Sequence, residues 1–413
     1  MILSLRRRKR RRGIHRLKLL LVHNFYQSSS PSGEDTAFRS EVALLRAGGL
    51  VVETYVRHND EIRPELGSRV SAALNGLWSA RTYRDLLSLL RDFRPDLAHF
   101  HGTFPLVSPS GYAACKASGV PVVQTFHNYR SICPNGLLLR NGVPCEDCLG
   151  RLPLPAVQHA CYRNSRLATL LAAGVSVANA RAIHRHAVDQ FIALTDFAAD
   201  LFARSGVPRD RIAVRPNCLD ADPPVGSGDG GFVLYAGRLS QEKGVRVLLQ
   251  AWTREGLPEC LVVGDGPLRL ELEEESRRRQ LRIRFLGSLP RSEVIGLMRM
   301  AAAVVIPSIC YEGLPMVFLE SMASGTPVAC SDIGGLASLV ADDDNGAKYP
   351  AGDSQALAAS VLRIIGDGTA PRRLRARCRS IYDEHYATNR ARERLLDIYE
   401  RTIARRRSQP RIS

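Results

Sequence analysis

Residues 308–332 read SICYEGLPMVFLESMASGTPVACSD, and the run carries two glutamates, Glu312 and Glu320, amid apolar and small residues. A half-buried carboxylate is costly unless something pairs with it. Pro315 suits the first turn of a helix, because its missing N–H would have no partner there anyway. The preceding AVVIPS, residues 303–308, reads as a buried strand, and PVACSD, residues 327–332, as the next one. The run therefore reads as strand, loop, helix and strand, with Glu312 in the loop and Glu320 within the helix. Backbone N–H groups near Gly313, Leu314 and Met316 would gather at the helix start, where phosphate is attracted. A carboxylate at Glu320 could accept two hydroxyl protons from a ribose.

The same alternation extends outward. KLLLVHNF (18–25), LVVETYVR, DLAHFH, PVVQTF, QFIAL and RIAVR read as strands, mostly with helical stretches between them. PNCLDADPPVGSGDGG, residues 216–231, reads as a linker. The alternation then restarts with FVLYAG, CLVVGDG, IRFLGS, AVVIPS and PVACSD. Strands alternating with helices mean βαβ units and parallel sheets. The expected fold is α/β, with two doubly wound domains facing a central cleft and ligands beyond the carboxyl ends of the strands. The expected division is a basic tail (1–16), an N-terminal domain (17–215), the linker (216–231), a C-terminal domain (232–385), and a last helix with a basic tail (386–413).

The chain has 413 residues and a net charge of +16. Seven positives form RRRKRRR at residues 6–12, and five arginines lie between Arg401 and Arg411. Such runs are usually solvated tails, although they can also attract anionic lipid. No stretch reaches the ~20 apolar residues that span a bilayer. Ten cysteines without a signal-peptide core point to reduced thiols and a cytoplasmic setting.

The loop after FVLYAG reads GRLSQEKGV, which places Arg238 and Lys243 after a strand end. Two cations can hold a diphosphate and stabilise it as a leaving group in place of a metal ion. With Glu312 and Glu320 they form a set far more specific than any member alone. GRLSQEKG, VVGDGP, FLGSL, PSICYEGLPMVFLESMASGTPV and SDIGG resemble the retaining glycosyltransferases of family 4, which have the GT-B fold. The resemblance runs from Lys18 to about Tyr386 and is strongest over residues 231–350. It implies a nucleoside diphosphate (NDP) sugar bound mainly by the C-terminal domain. Arg238 and Lys243 would hold the diphosphate, Glu320 the ribose and Glu312 the sugar hydroxyls, with the backbone near Leu289 at the base. It also implies retention of anomeric configuration by front-face attack, with no protein nucleophile and no metal cofactor for catalysis. One departure is Ser338, where relatives commonly carry glutamate, and it is expected to affect loop anchoring more than chemistry.

In the N-terminal half, Gly33 follows the opening strand and would let the backbone approach a phosphate. His99 and His101 fall on one face of a strand, with His101 nearer its end. Both read as structural. His127 directly follows PVVQTF, and in the family a histidine so placed contacts the donor sugar. Asp220/Asp222 and Asp342/Asp344 form Asp-x-Asp pairs in turn-rich sequence, where aspartate bonds the backbone. They read as structural rather than metal-binding.

Cys133, Cys145, Cys148 and Cys161 form a C-x11-C-x2-C-x12-C pattern within an insert, residues 133–161, rich in Gly, Pro and Asn. Two readings stay open, a structural zinc site with His159 as an alternative ligand, or four buried thiols. RLATLLAAGVSVANARAIHR is an apolar stretch edged by arginines. It reads as a packed helix or as one lying in a membrane interface.

The function expected is transfer of a sugar from an NDP-sugar to a hydroxyl of a glycan or lipid-linked glycan in surface polysaccharide synthesis. The enzyme would sit in the cytoplasm, with peripheral association at an anionic membrane. Nucleic acid is not an expected partner. A sugar-nucleotide epimerase is the alternative enzyme, but no acid/base pair for it is evident. A non-catalytic sugar-nucleotide-binding protein is the alternative from another class, and the intact set of four charged residues argues against it. An NAD enzyme is disfavoured, because no G-x-G-x-x-G follows the opening strand.

Overall fold

The computed structural model describes residues 17–28, 32–63, 65–184, 187–366 and 370–408. The basic run at 6–12, Arg411 and the last residues of the chain lie outside them. The chain divides into two compact units. One holds the described residues through 136, residues 146–220 and those from 388 on; the other holds 137–145 and 221–387. The C-terminal helix, Thr388–Ser408, thus belongs to the first unit.

The first unit is built on six parallel strands: β1 (Lys18–Phe25), β2 (Val51–His58), β3 (Leu97–Phe100), β4 (Val122–Phe126), β5 (Gln190–Ala193) and β6 (Ile212–Val214). Their order across the sheet is β2-β1-β3-β4-β5-β6. β1, β3 and β4 are buried on both faces apart from Lys18, which is why they read as continuous apolar runs rather than alternating ones. Helix α1 (Gly33–Ala47) follows β1 and opens with a capping box: Ser32 Oγ accepts from the Asp35 N–H, and the Asp35 carboxylate accepts from the Ser32 N–H. Its inner face, with Phe38, Val42 and Leu45, joins Leu19, Leu21, Leu97 and Val123 in one core. The C-terminal helix completes that core with Leu395, Leu396, Tyr399 and Ile403. Helix α2 (Arg166–His184) covers the stretch that read as a packed or interfacial helix.

The second unit repeats the plan with β7 (Phe232–Ala236), β8 (Glu259–Val263), β9 (Ile283–Gly287), β10 (Ala303–Ile306), β11 (Val328–Ser331) and β12 (Gly346–Tyr349), ordered β9-β8-β7-β10-β11-β12. Every pairing in both six-stranded sheets is parallel. In each sheet the strand order reverses beside its first strand, between β1 and β3 and between β7 and β10. Loops at the carboxyl ends of strands diverge at such a point and leave room for a ligand.

The Gly-rich end of residues 216–231 packs against the rest of the second unit. The N–H groups of Gly226, Gly228 and Gly230 donate to the carbonyls of Ser324, Arg299 and Met300. A Cβ at Gly226 would lie 2.0 Å from the Arg299 carbonyl oxygen. The glycine there permits close backbone approach rather than flexibility.

Candidate active site

The second unit gathers the sequence-marked charges around β7 and β10. The chain leaves β7 through Gly237 and Arg238, whose carbonyl accepts from Tyr235 Oη at 2.8 Å while the Arg238 side chain is exposed. A short 3-10 turn, Gln241–Lys243, follows and closes on Gly244 at φ +67°. A Cβ on Gly244 would stand 1.7 Å from the Pro307 carbonyl oxygen, so only glycine lets this turn seat against the loop after β10. The Ile309 N–H donates to the Glu242 carbonyl at 3.0 Å and ties the two loops together.

That tie places Lys243 Nζ 2.7 Å from Glu312 Oε1, and Ser308 Oγ donates to the same oxygen at 2.5 Å. Burial works against the Lys243 charge, but Glu312 outweighs it and raises the lysine pKa above its ordinary value. The answer to the cost of Glu312 is thus Lys243, a residue from the other loop. Helix α3 (Arg291–Met300) follows β9 and helix α4 (Met316–Ala323) follows β10. Glu320 on α4 is 7% exposed, and Arg291 Nε at the start of α3 donates to its Oε1 at 2.8 Å. Arg291 was not singled out by the sequence; its only signal is a cation just beyond Leu289. Gly313, Leu314 and Met316 stand at the amino end of α4, with the Leu314 and Met316 side chains buried. Leu289 is half-buried after β9.

Asp222 accepts from Tyr382 Oη at 2.6 Å, Asp342 pairs with Arg363 and Asp344 with Arg377. These contacts suit the structural reading. Ser338 Oγ donates to the Gly335 carbonyl at 2.8 Å, within its own helix.

The first unit holds a different kind of site. His127 follows β4 and is half-buried. It lines a cavity of about 60 Å³ together with Glu34, His101, Gly102, Asn128 and Arg130. Asn128 Nδ2 donates to Glu34 Oε2 at 2.9 Å, and burial pushes the Glu34 carboxyl pKa up. Arg130 lies over the Phe104 ring, 4.6 Å from its centroid. Gly33 is the first, exposed residue of α1.

Behind the cavity lies a buried ionic network that the sequence reading did not find. Glu41, on the inner face of α1, is 2% exposed. Arg215, just past β6, donates through Nη1 to Glu41 Oε2. His99 Nδ1 lies 2.9 Å and His101 Nε2 3.1 Å from Glu41 Oε1. His101 Nδ1 lies 2.8 Å from His127 Nε2. His99 Nδ1 also lies 2.7 Å from Tyr399 Oη, and its Nε2 lies 2.8 Å from Thr125 Oγ1. Burial alone would raise the Glu41 pKa, but Arg215 and the two histidines hold it well below the carboxylate range. Burial pulls His101 down to about 4 and drives His127 well below its ordinary value, each helped by neighbouring histidines. Glu41 could have been noticed, because it falls three residues after Phe38 and four before Leu45, on the helix's apolar stripe.

Glu41, His99 and His101 are also the one group of three metal-ligating side chains, among the described residues, whose ligand atoms lie within 4.8 Å of one another. The Arg215 guanidinium already occupies their carboxylate, which does not fit a second cation there. Among the described residues none of Cys133, Cys145, Cys148 and Cys161 falls in such a group. All ten cysteines are unbridged; Cys133 and Cys148 are buried, and Cys145 and Cys161 are half-buried.

Comparison with known proteins agrees with this architecture. The family described as "Glycosyl transferases group 1" matches residues 223–381, and "Glycosyl transferase 4-like domain" matches residues 32–218. The chain is 30% identical to the 2-deoxystreptamine N-acetyl-D-glucosaminyltransferase of Streptomyces fradiae, over 74% of this chain and 70% of that protein. It is also 30% identical to the glycogen synthase of Mycobacterium tuberculosis, over 69% of this chain but just 64% of that protein. Among solved structures, HepE of Anabaena in complex with UDP-glucose aligns at TM-score 0.67 and 18% identity, covering 93% of this chain and all of that one. Sucrose-phosphate synthase from Thermosynechococcus elongatus aligns at TM-score 0.68 and 18% identity, covering 94% and 100%. The fold is GT-B, two doubly wound α/β units. The chain belongs to the family 4-type, group 1 glycosyltransferases.

Proposed function

We propose that this protein transfers a sugar from an NDP-sugar to a hydroxyl of a glycan or lipid-linked glycan, with retention of configuration. The observation that carries this reading is the pairing of Lys243 with Glu312 across the loops that leave β7 and β10. A departing diphosphate develops negative charge, and Lys243 with Arg238 would stabilise it without a catalytic metal. Glu312 would orient the sugar hydroxyls and Glu320 the ribose. Leu289 and the backbone of Gly313, Leu314 and Met316 would meet the base and phosphates, and Gly33 would let the backbone approach a phosphate. His127 would contact the donor sugar. Positive charge grows at the anomeric carbon as the phosphate leaves, and the leaving phosphate takes the acceptor's proton. An α-linked donor then gives an α-glycoside. HepE, whose solved complex holds UDP-glucose, is consistent with a nucleotide-sugar donor.

The test is a donor screen that measures release of free nucleoside diphosphate with and without sugar acceptors. Release with at least one NDP-sugar, undiminished by EDTA, is expected. Failure of every NDP-sugar to turn over or to bind would overturn the reading.

Two further parts of this reading concern the first unit. No helix among the described residues is long and apolar enough to cross a membrane. Leu167, Leu170 and Leu171 on α2 are nevertheless exposed, as are Leu152, Leu154, Leu74 and Trp78 on segments that lie beside it. Arg151, Arg163 and Arg166 are exposed around them. That composition suits peripheral binding to an anionic membrane at the cytoplasmic face, where a lipid-linked acceptor would be met. Sedimentation with phosphatidylserine vesicles, lost in Leu167→Ser/Leu170→Ser, is the expected outcome. Zinc at Cys133, Cys145, Cys148 and Cys161 rests on their spacing alone. About one zinc per chain by elemental analysis supports it, and four freely titratable thiols in metal-free protein remove it.

A further inference from the structure

We propose that Glu41 and His101 are positioning residues that fix His127 as the Nε2–H tautomer, leaving its Nδ1 as the hydrogen-bond acceptor offered to a sugar hydroxyl. The inference rests on the role proposed above for His127. Its premises are the contacts of one buried row: Glu41 Oε1 to His101 Nε2 at 3.1 Å, then His101 Nδ1 to His127 Nε2 at 2.8 Å.

A neutral imidazole has one donor nitrogen and one acceptor nitrogen, and an ionised carboxylate can only accept. Glu41 is ionised, since it faces the permanent charge of Arg215. His101 must therefore carry its proton on Nε2, toward Glu41. Its Nδ1 is then a bare lone pair, and the atom opposite it must be a donor. That atom is His127 Nε2, so the remaining nitrogen of His127, Nδ1, holds no proton. His99 stands beside the same oxygen of Glu41, with its Nδ1 also 2.7 Å from Tyr399 Oη and its Nε2 2.8 Å from Thr125 Oγ1. A doubly protonated His101 would reverse the second link. The surroundings oppose that form: Arg215 already balances Glu41, and the His99 ring lies 4.3 Å away, centroid to centroid. The site is buried, where an added charge is costly.

The consequence is a difference in kind between this row and an ordinary core network. Its last member, His127, is half-buried and lines the cavity beside His101, whereas Glu41 and His101 are only 2% and 3% exposed. A ring free to exchange tautomers would present an acceptor only part of the time. A ring locked through His101 presents it always, and the lock originates at Glu41, which the sequence places 86 residues before His127. His101 and Glu41 touch no ligand in this arrangement and act only through His127.

The test uses the full-length protein labelled with 15N-histidine. One-bond 15N–1H coupling reports which nitrogen carries the proton shared by His101 and His127. At pH 7 it is expected on His127 Nε2, with His127 Nδ1 showing the shift of an unprotonated nitrogen. A proton on His101 Nδ1, or a positively charged His127, overturns the proposal, and neither result depends on knowing the substrates. A kinetic arm uses His101→Asn, after its folding is checked by circular dichroism. The expected result is a loss of kcat of at least about tenfold with donor KM within about twofold, on the scale of a misplaced hydrogen bond in a transition state. Wild-type kcat in the folded variant overturns the positioning role. If wild-type protein turns over no NDP-sugar at all, the transferase reading fails, and the coupling measurement still decides the tautomer.

Discussion

The two units share one topology and put their charges in opposite places. In the second unit, Lys243 and Glu312 meet in loops, with side chains 31% and 12% exposed. In the first, Glu41, His99, His101 and Arg215 meet beneath the loops, all at most 3% exposed. A parallel sheet whose loops diverge at a switch point offers a ligand both a rim and a floor. The second unit carries its pair at the rim. The first carries its pair in the floor, beneath His101 and His127. Burial separates the two: a partly exposed lysine can turn to solvent, whereas a buried arginine is committed to its carboxylate.

The largest effect expected from this contrast is on stability. Glu41→Ala would strand Arg215 in the core, and breaking a buried pair costs ~3–5 kcal/mol. Glu312→Ala would cost no more than ~1 kcal/mol, since Lys243 can turn toward water. Urea unfolding of both variants measures the difference, and equal losses would break the comparison.

Activity should invert that order. Arg238→Ala and Lys243→Ala are each expected to lose ~2–4 kcal/mol of transition-state stabilisation, the scale for one electrostatic donor facing developing charge. This is read from kcat/KM at near-native stability. Wild-type-like turnover in both would take the leaving-group role away from the second unit's rim.

Acid sharpens the contrast further. His101 is pulled from 6.5 to about 4 in the folded state. Between those values the unfolded chain binds the proton and the folded chain does not, so stability falls as pH falls from about 6.5 toward 4. One such group accounts for about 3 kcal/mol over that window. Glu41 adds to the loss at lower pH: its depressed folded pKa gives stability that is full above the unfolded value and disappears as pH drops through the folded one. His101→Asn should flatten the upper part of the curve. An unchanged slope would show that other groups set it.

The smallest effect separates the two carboxylates of the second unit. Glu320→Ala is expected to weaken binding of NDP alone by about 1.5–3 kcal/mol, as for a hydrogen bond to a charged group. Glu312→Ala should leave that affinity nearly intact and lower turnover instead. Calorimetry with NDP distinguishes them, and equal losses would merge the two roles.

Chain order and residue type determined a good deal by themselves. Strand patterning carried both sheets, because strands buried on both faces are mostly apolar. Arg238, Lys243 and Glu312 were legible because each sits within eight residues of the carboxyl end of a strand, and Glu320 because it is the one charge in the helix that follows β10. Local turn chemistry marked Pro315 as a helix start. The tertiary structure decided what depended on distant partners. Arg291 reaches Glu320 across 29 residues and Arg215 reaches Glu41 across 174. The glycines at 226–230 read only as part of a linker, and the close backbone contacts they make with residues 299–300 and 324 appear only in the fold. His101 looked structural and stands between a buried carboxylate and the histidine of the cavity. No sequence spacing encodes that position, because it arises only when β3, β4 and α1 are packed into one core.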